Sequence, residues 1–137
     1  MSDYLFVYGT LRKHAERRAA GQHCYQLLQQ HASLRGLGWL QAKLYLVDYY
    51  PGAVACNNPK WQVTGEVYQL KQPALLLTEL DQYEECGSGF ASPTEYLRLK
   101  QQVTLENSEK ISAWVYCYNH PTDGLQQIMS GDFLHCL

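Results

Sequence analysis

Tyr4-Leu5-Phe6-Val7-Tyr8-Gly9-Thr10-Leu11-Arg12 is the stretch from which the rest of the chain is read. Leu5 to Tyr8 form a short apolar run rich in aromatic and β-branched residues, the composition of a strand buried on both faces. Gly9 interrupts it. A glycine at the end of a buried strand lets the backbone turn sharply and lets a second group approach closely. Two readings follow. The segment is a first strand closed by a glycine turn, or it is a loop whose successive N–H groups at Gly9, Thr10 and Leu11 cradle a carboxylate or a developing oxyanion.

The surrounding composition sets the class. The chain has 137 residues, 46% hydrophobic and 18% charged, which places it with globular domains and predicts one domain over 1–137. A net charge of −2 argues against nucleic acid or an anionic membrane as the main partner. Cys24, Cys56, Cys86, Cys117 and Cys136 are odd in number and widely spaced, so neither a disulfide framework nor a zinc site is suggested. His14, His23, His31, His120 and His135 show no ligand spacing, and no motif calls for a cofactor. With no signal peptide and no run of membrane-spanning length, a reducing cytoplasmic compartment is expected. The sequence carries nothing that sets the oligomeric state.

Outward from the first strand, a short helix is predicted near Ala15–Ala20 and a second over Gln22–His31, with Cys24, Leu27 and Leu28 on its apolar side. Ser33 to Val47 reads as β structure bent or bulged at Gly36 and Gly38. Tyr49-Tyr50-Pro51-Gly52 reads as a turn, Asn57–Lys60 as a loop and Trp61–Gln69 as a strand. Pro73 opens a helix that runs to Glu84 or Glu85 and stops before Gly87. After a loop over Gly87–Thr94, Glu95–Leu105 and Lys110–Asn119 form two strands joined at Glu106-Asn107-Ser108. Thr122–Leu137 is a short tail with a turn at Gly131-Asp132. Strands with internal glycines and one late helix predict an α+β fold built on a small mixed β-barrel.

The Pro73 helix carries an anomaly. At about 100° per residue, Leu76, Leu77, Leu80 and Tyr83 share an arc, and Glu84 falls inside it, roughly 40° from Leu80. Glu85 lies roughly 140° away and faces water. A carboxylate on an apolar face is costly unless paired or protonated. Desolvation and the negative end of a helix both raise its pKa, which suits a general acid/base. The competing reading is a buried ion pair with Arg12 or Arg98.

Further along the chain stand Leu44-Tyr45, Tyr50-Pro51-Gly52, Gly65-Glu66-Val67-Tyr68, Leu80-Asp81-Gln82-Tyr83-Glu84, Tyr96-Leu97-Arg98, Ala113-Trp114-Val115-Tyr116 and Ser130-Gly131-Asp132. With Tyr8-Gly9-Thr10-Leu11 and in this order, they resemble the gamma-glutamylcyclotransferases and gamma-glutamylamine cyclotransferases over nearly the whole chain. The resemblance implies a small β-barrel flanked by helices, with a cavity at its mouth. It implies a small-molecule gamma-glutamyl substrate, bound through backbone groups of the Tyr8–Leu11 loop, and Glu84 as acid/base. It implies release of 5-oxoproline by attack of the substrate's own α-amine, an acyltransferase reaction that needs no cofactor. Tyr96 and Tyr118 are candidate pocket liners, although strand tyrosines are commonly core. The sequence departs from the family at Lys13-His14-Ala15, where glycine is usual, and at Phe133, where tryptophan is frequent. The alternative from another class is a non-catalytic binding or regulatory module that uses the same pocket.

Overall fold

The computed structural model describes residues 3–9, 22–47, 50–83 and 94–135. Strand β1 (Asp3–Val7) is followed by helix α1 (Gln22–His31) and the long strand β2 (Ala32–Leu46). Then come β3 (Pro51–Ala55), β4 (Gln62–Leu70), helix α2 (Pro73–Tyr83), β5 (Tyr96–Leu105), β6 (Lys110–Tyr118) and the two-residue β7 (Gln126–Gln127). A single 3-10 turn occupies Phe133–His135. The helix expected near Ala15–Ala20 lies outside the described residues.

The sheet closes on itself. β1 pairs β4, β4 pairs β2, β2 pairs β5, β5 pairs β6, and β6 returns to β1. Most contacts are antiparallel, but Leu5 meets Trp114 and Ala53 meets Cys117 in parallel pairings, so the five-stranded barrel is mixed, as the sequence predicts. β3 joins both β2 and β6 and closes the ring a second time. This strand is a correction to the sequence reading, which places Tyr49–Gly52 in a turn. Proline is tolerated at the first residue of a strand, and Pro51 stands there, paired with Leu46.

The barrel closes because β2 bends. Its register against β4 shifts between Leu34 and Gly36, and Gly36 adopts φ 131°, a conformation that side chains other than hydrogen rarely take. The bulge expected from the glycine spacing therefore stands at Gly36. The hairpin expected at Glu106–Ser108 is also present, with Ser108 at φ 71° and the Leu105 amide bonded to the Glu109 carbonyl at 2.8 Å.

Two cores follow from the alternation of side chains across strands. Phe6, Tyr8, Leu40, Leu44, Val63, Val67, Val103, Val115 and Cys117 belong to the cluster that fills the barrel. Leu5, Val7, Tyr68, Leu70, Tyr96 and Tyr116 project from the other face, where Leu28 of α1 and Leu76, Leu77 and Leu80 of α2 cover them. The first strand is thus buried on both sides, with Leu5 and Val7 in one core and Phe6 and Tyr8 in the other. In α2 the predicted arc is buried at Leu76, Leu77 and Leu80, while Leu75, Thr78 and Glu79 are exposed. Pro73 is its first residue and Gln72 accepts from the Leu76 amide at 3.0 Å, the N-terminal arrangement that proline favours.

Candidate active site

The end of β1 meets the start of β3, the start of β5 and the end of β6 at one rim of the barrel. Tyr8 organises this junction. Its ring is 6% exposed. Its hydroxyl donates to the Tyr116 carbonyl on β6 and accepts from the Ala53 amide on β3 at 3.1 Å. One phenol therefore fixes the distance between three strands that are remote in sequence. Gly9 follows directly and sits against Pro51, close enough that a Cβ on Gly9 would meet the proline ring at 3.0 Å. The backbone at Gly9 is thus held over the rim by contact with β3.

Tyrosines line the rim. Tyr96 is 4% exposed and donates to the Pro51 carbonyl at 2.6 Å. Its ring meets Tyr118 edge-on at 5.6 Å and Tyr50 at 6.3 Å, and Tyr118 meets His120 edge-on at 5.8 Å. Such offset contacts match the ring quadrupoles. Tyr118 can reach this position because residue 52 is glycine: a Cβ there would stand 2.7 Å from the Tyr118 Cβ. The Tyr50 hydroxyl donates to both carboxylate oxygens of Glu95, at 2.9 and 3.0 Å. The Tyr118 hydroxyl is raised above the ordinary phenol range, first by burial and then by the Glu95 charge. Both tyrosines proposed from sequence therefore reach the rim, with Tyr96 as buried support and Tyr118 more open to solvent.

Helix α2 is fastened to the same strands by polar groups. Asp81 accepts from Arg98 on β5 at 2.7 Å (Nε) and 3.0 Å (Nη2). It also accepts from the Tyr116 hydroxyl on β6 at 2.6 Å. The guanidinium of Arg98 lies over the Trp114 ring, 4.5 Å from its centroid. Arg98, considered from sequence as a partner for Glu84, pairs with Asp81 here, and Glu84 itself lies outside the described residues. Tyr116 serves both cores, since its carbonyl holds Tyr8 and its hydroxyl holds Asp81.

Of the residues the sequence singles out, Tyr8, Gly9, Tyr96 and Tyr118 converge here. Thr10, Leu11 and Glu84 lie outside the described residues; the chain is described up to Gly9 on one side and Tyr83 on the other. Sequence reading passed over Asp81, Glu95 and Glu66. Glu66, 5% exposed, is the buried charged side chain among the described residues, and it lies across from Val7 on β4. The signal for Asp81 was present, an acid beside the apolar arc, but its partners come from distant strands. Among the described residues no three His, Cys, Asp or Glu side chains group to hold a metal ion, and no helix is long and apolar enough to cross a membrane.

Comparison with known proteins agrees with this architecture. Residues 5–135 match the family described as gamma-glutamyl cyclotransferase, AIG2-like. The gamma-glutamylcyclotransferase family protein YtfP of Escherichia coli K12 is 35% identical over 130 residues, covering 95% of each chain. The solution structure of E. coli ytfP superposes with a TM-score of 0.60 at 32% identity over 96% of both chains. The crystal structure of an AIG2-like protein from Mus musculus, at 24% identity, TM-score 0.64 and 90% coverage of each chain, shares the fold. The chain therefore belongs to the gamma-glutamyl cyclotransferase, AIG2-like family.

Proposed function

We propose that this protein is a cyclotransferase that releases 5-oxoproline from a gamma-glutamyl amine or gamma-glutamyl amino acid. Family membership supports a cyclotransferase role. The observation that carries the finer reading is the convergence at one rim of Tyr8-Gly9, Pro51-Gly52, Tyr96 and Tyr118, with α2 fastened to the strands of that rim through Asp81.

The substrate supplies its own nucleophile. Its α-amine attacks its γ-carbonyl, a C–N bond forms to close a five-membered lactam, and the original amide C–N bond breaks. The α-ammonium gives up two protons as it becomes the lactam N–H, and both reach the departing nitrogen, which leaves as an ammonium. Glu84 relays them by accepting and returning a proton, and ends as it began. N–H groups of Gly9, Thr10 and Leu11 hold the substrate carboxylate or the oxyanion. Tyr8 serves this loop from beneath by bracing β3 and β6, and Tyr118 lines the rim. Curling the glutamyl chain is a proximity effect, which well-built sites exploit strongly.

The test uses matched substrates. A gamma-glutamyl compound with a free α-amine is expected to react, and its N-acetylated counterpart is expected not to, because its nitrogen lone pair is delocalised. Glu84→Gln is expected to lower turnover by ~10²–10⁴-fold, the usual contribution of a general acid/base. Cleavage of the N-acetylated compound at a comparable rate would contradict the mechanism.

A further inference from the structure

Three donors meet on Asp81 from two strands: Nε and Nη2 of Arg98 on β5 and the hydroxyl of Tyr116 on β6. A bidentate guanidinium–carboxylate pair fixes direction as well as distance, because both groups are planar. Arg98 is itself held in place by the Trp114 ring beneath it. Among the described residues, α2 also packs against the barrel through the apolar side chains of Leu76, Leu77 and Leu80. Apolar contacts hold a helix against a sheet but tolerate small rotations and shifts along its axis, because the hydrophobic effect is non-directional. The clamp at Asp81 removes that freedom at the C-terminal turn of α2. Tyr116 also connects the clamp to the substrate loop, since its carbonyl receives the Tyr8 hydroxyl one residue before Gly9.

We propose that Asp81 is a positioning residue, whose clamp with Arg98 and Tyr116 sets the turn of α2 from which Glu84 follows and keys that turn to the Tyr8 strand. The inference rests on the cyclotransferase reading, and it assigns Asp81 no contact with substrate. Its consequence is specific. Loss of the clamp leaves the substrate loop and the aromatic rim in place, so KM is preserved. It misplaces the proton-transfer group, so kcat falls; an error of about 1 Å in such a group can cost ~10²-fold.

The experiment measures kcat and KM per folded chain for Asp81→Asn, Arg98→Lys and Tyr116→Phe, with melting temperatures for each. Glu84→Gln serves to test the underlying reading. Lys100→Ala is a comparison that removes the surface pair with Asp3 and the ammonium over the Trp114 ring while keeping the bonds of Asp81 to Arg98 and Tyr116. Asp81→Asn is expected to lose ~10–100-fold in kcat with little change in KM. Arg98→Lys, which keeps the charge and loses the fork, and Tyr116→Phe are expected to lose less, in proportion to the donors removed. Lys100→Ala is expected to match the parent protein. If Asp81→Asn fails to fold, the other two clamp variants decide. Clamp variants that melt earlier but keep the parent kcat per folded chain would overturn the inference and leave the reaction standing. A Glu84→Gln protein with the parent kcat, or a parent protein inactive on every gamma-glutamyl compound, would overturn the reading beneath it and the inference together.

Discussion

Along β6, alternate residues face two different environments. Ala113, Val115 and Cys117 enter the barrel, where the surrounding side chains are almost all apolar. Trp114 and Tyr116 face the side covered by the helices, where Arg98, Asp81 and the Tyr116 hydroxyl interlock. The interior holds its strands together by burial, which is strong and non-directional. The helix-facing side adds directional bonds that fix where an element stands. The difference teaches that non-directional burial and directional positioning divide between the two faces of one strand. Tyr8 is the exception that joins them, since its ring lies in the barrel core and its hydroxyl sets the spacing of β3 and β6.

The largest effect expected from breaking the interior is at Phe6, which is 1% exposed and packs against Gly65. Phe6→Ala should cost about 3–5 kcal/mol of stability, as for other buried aromatic truncations. Chemical denaturation measures this, and the folded fraction should keep the parent kcat. A kcat that falls in step with stability would erase the distinction between the two sides.

A pH titration sharpens the comparison from within the interior. Burial pushes the Cys117 thiol up from 9.0 to about 11. Between those values the folded chain keeps a proton that the unfolded chain has lost, so stability must fall as pH rises through this window. The full shift corresponds to roughly 2–3 kcal/mol. Raised Tyr118 acts in the same direction as pH rises above the ordinary phenol value of 10.0. Cys117→Ala should flatten the fall in melting temperature between about pH 9 and 11. An unchanged slope would show that the thiol is not desolvated in the barrel.

Tyr8→Phe tests the residue that belongs to both sides. It keeps the ring and removes the hydroxyl, leaving the Ala53 amide and the Tyr116 carbonyl without that partner. A cost of about 1–3 kcal/mol is expected. Unlike Phe6→Ala, it should also lower activity per folded chain, because the rim beneath Gly9 loosens. Equal denaturation midpoints for parent and variant would contradict the bracing role.

Much of this was legible in the sequence because it is local. The apolar run at Leu5–Tyr8, the arc of Leu76, Leu77 and Leu80 and the glycine at the β2 bulge each announce themselves within a few residues. β3 was hidden because Pro51-Gly52 carries a turn signature, and the reason for that glycine lies 66 positions away in the ring of Tyr118. The Asp81 clamp was hidden for the same reason: its partners are 17 and 35 residues distant, and helix periodicity says only that Asp81 borders the apolar arc. Polar pairings across strands depend on register, and register is settled by closure of the whole barrel. The proposed rim residues were accessible from motif order, while the interactions that hold them there were not.

The central claim is that the nucleophile belongs to the substrate, and product analysis in oxygen-18 water tests it most directly. Mass spectrometry of the reaction with a gamma-glutamyl compound should find 5-oxoproline free of solvent oxygen, together with the released amine. Free glutamate carrying one solvent oxygen would mean that water attacks the γ-carbonyl, and the protein would then be a hydrolase.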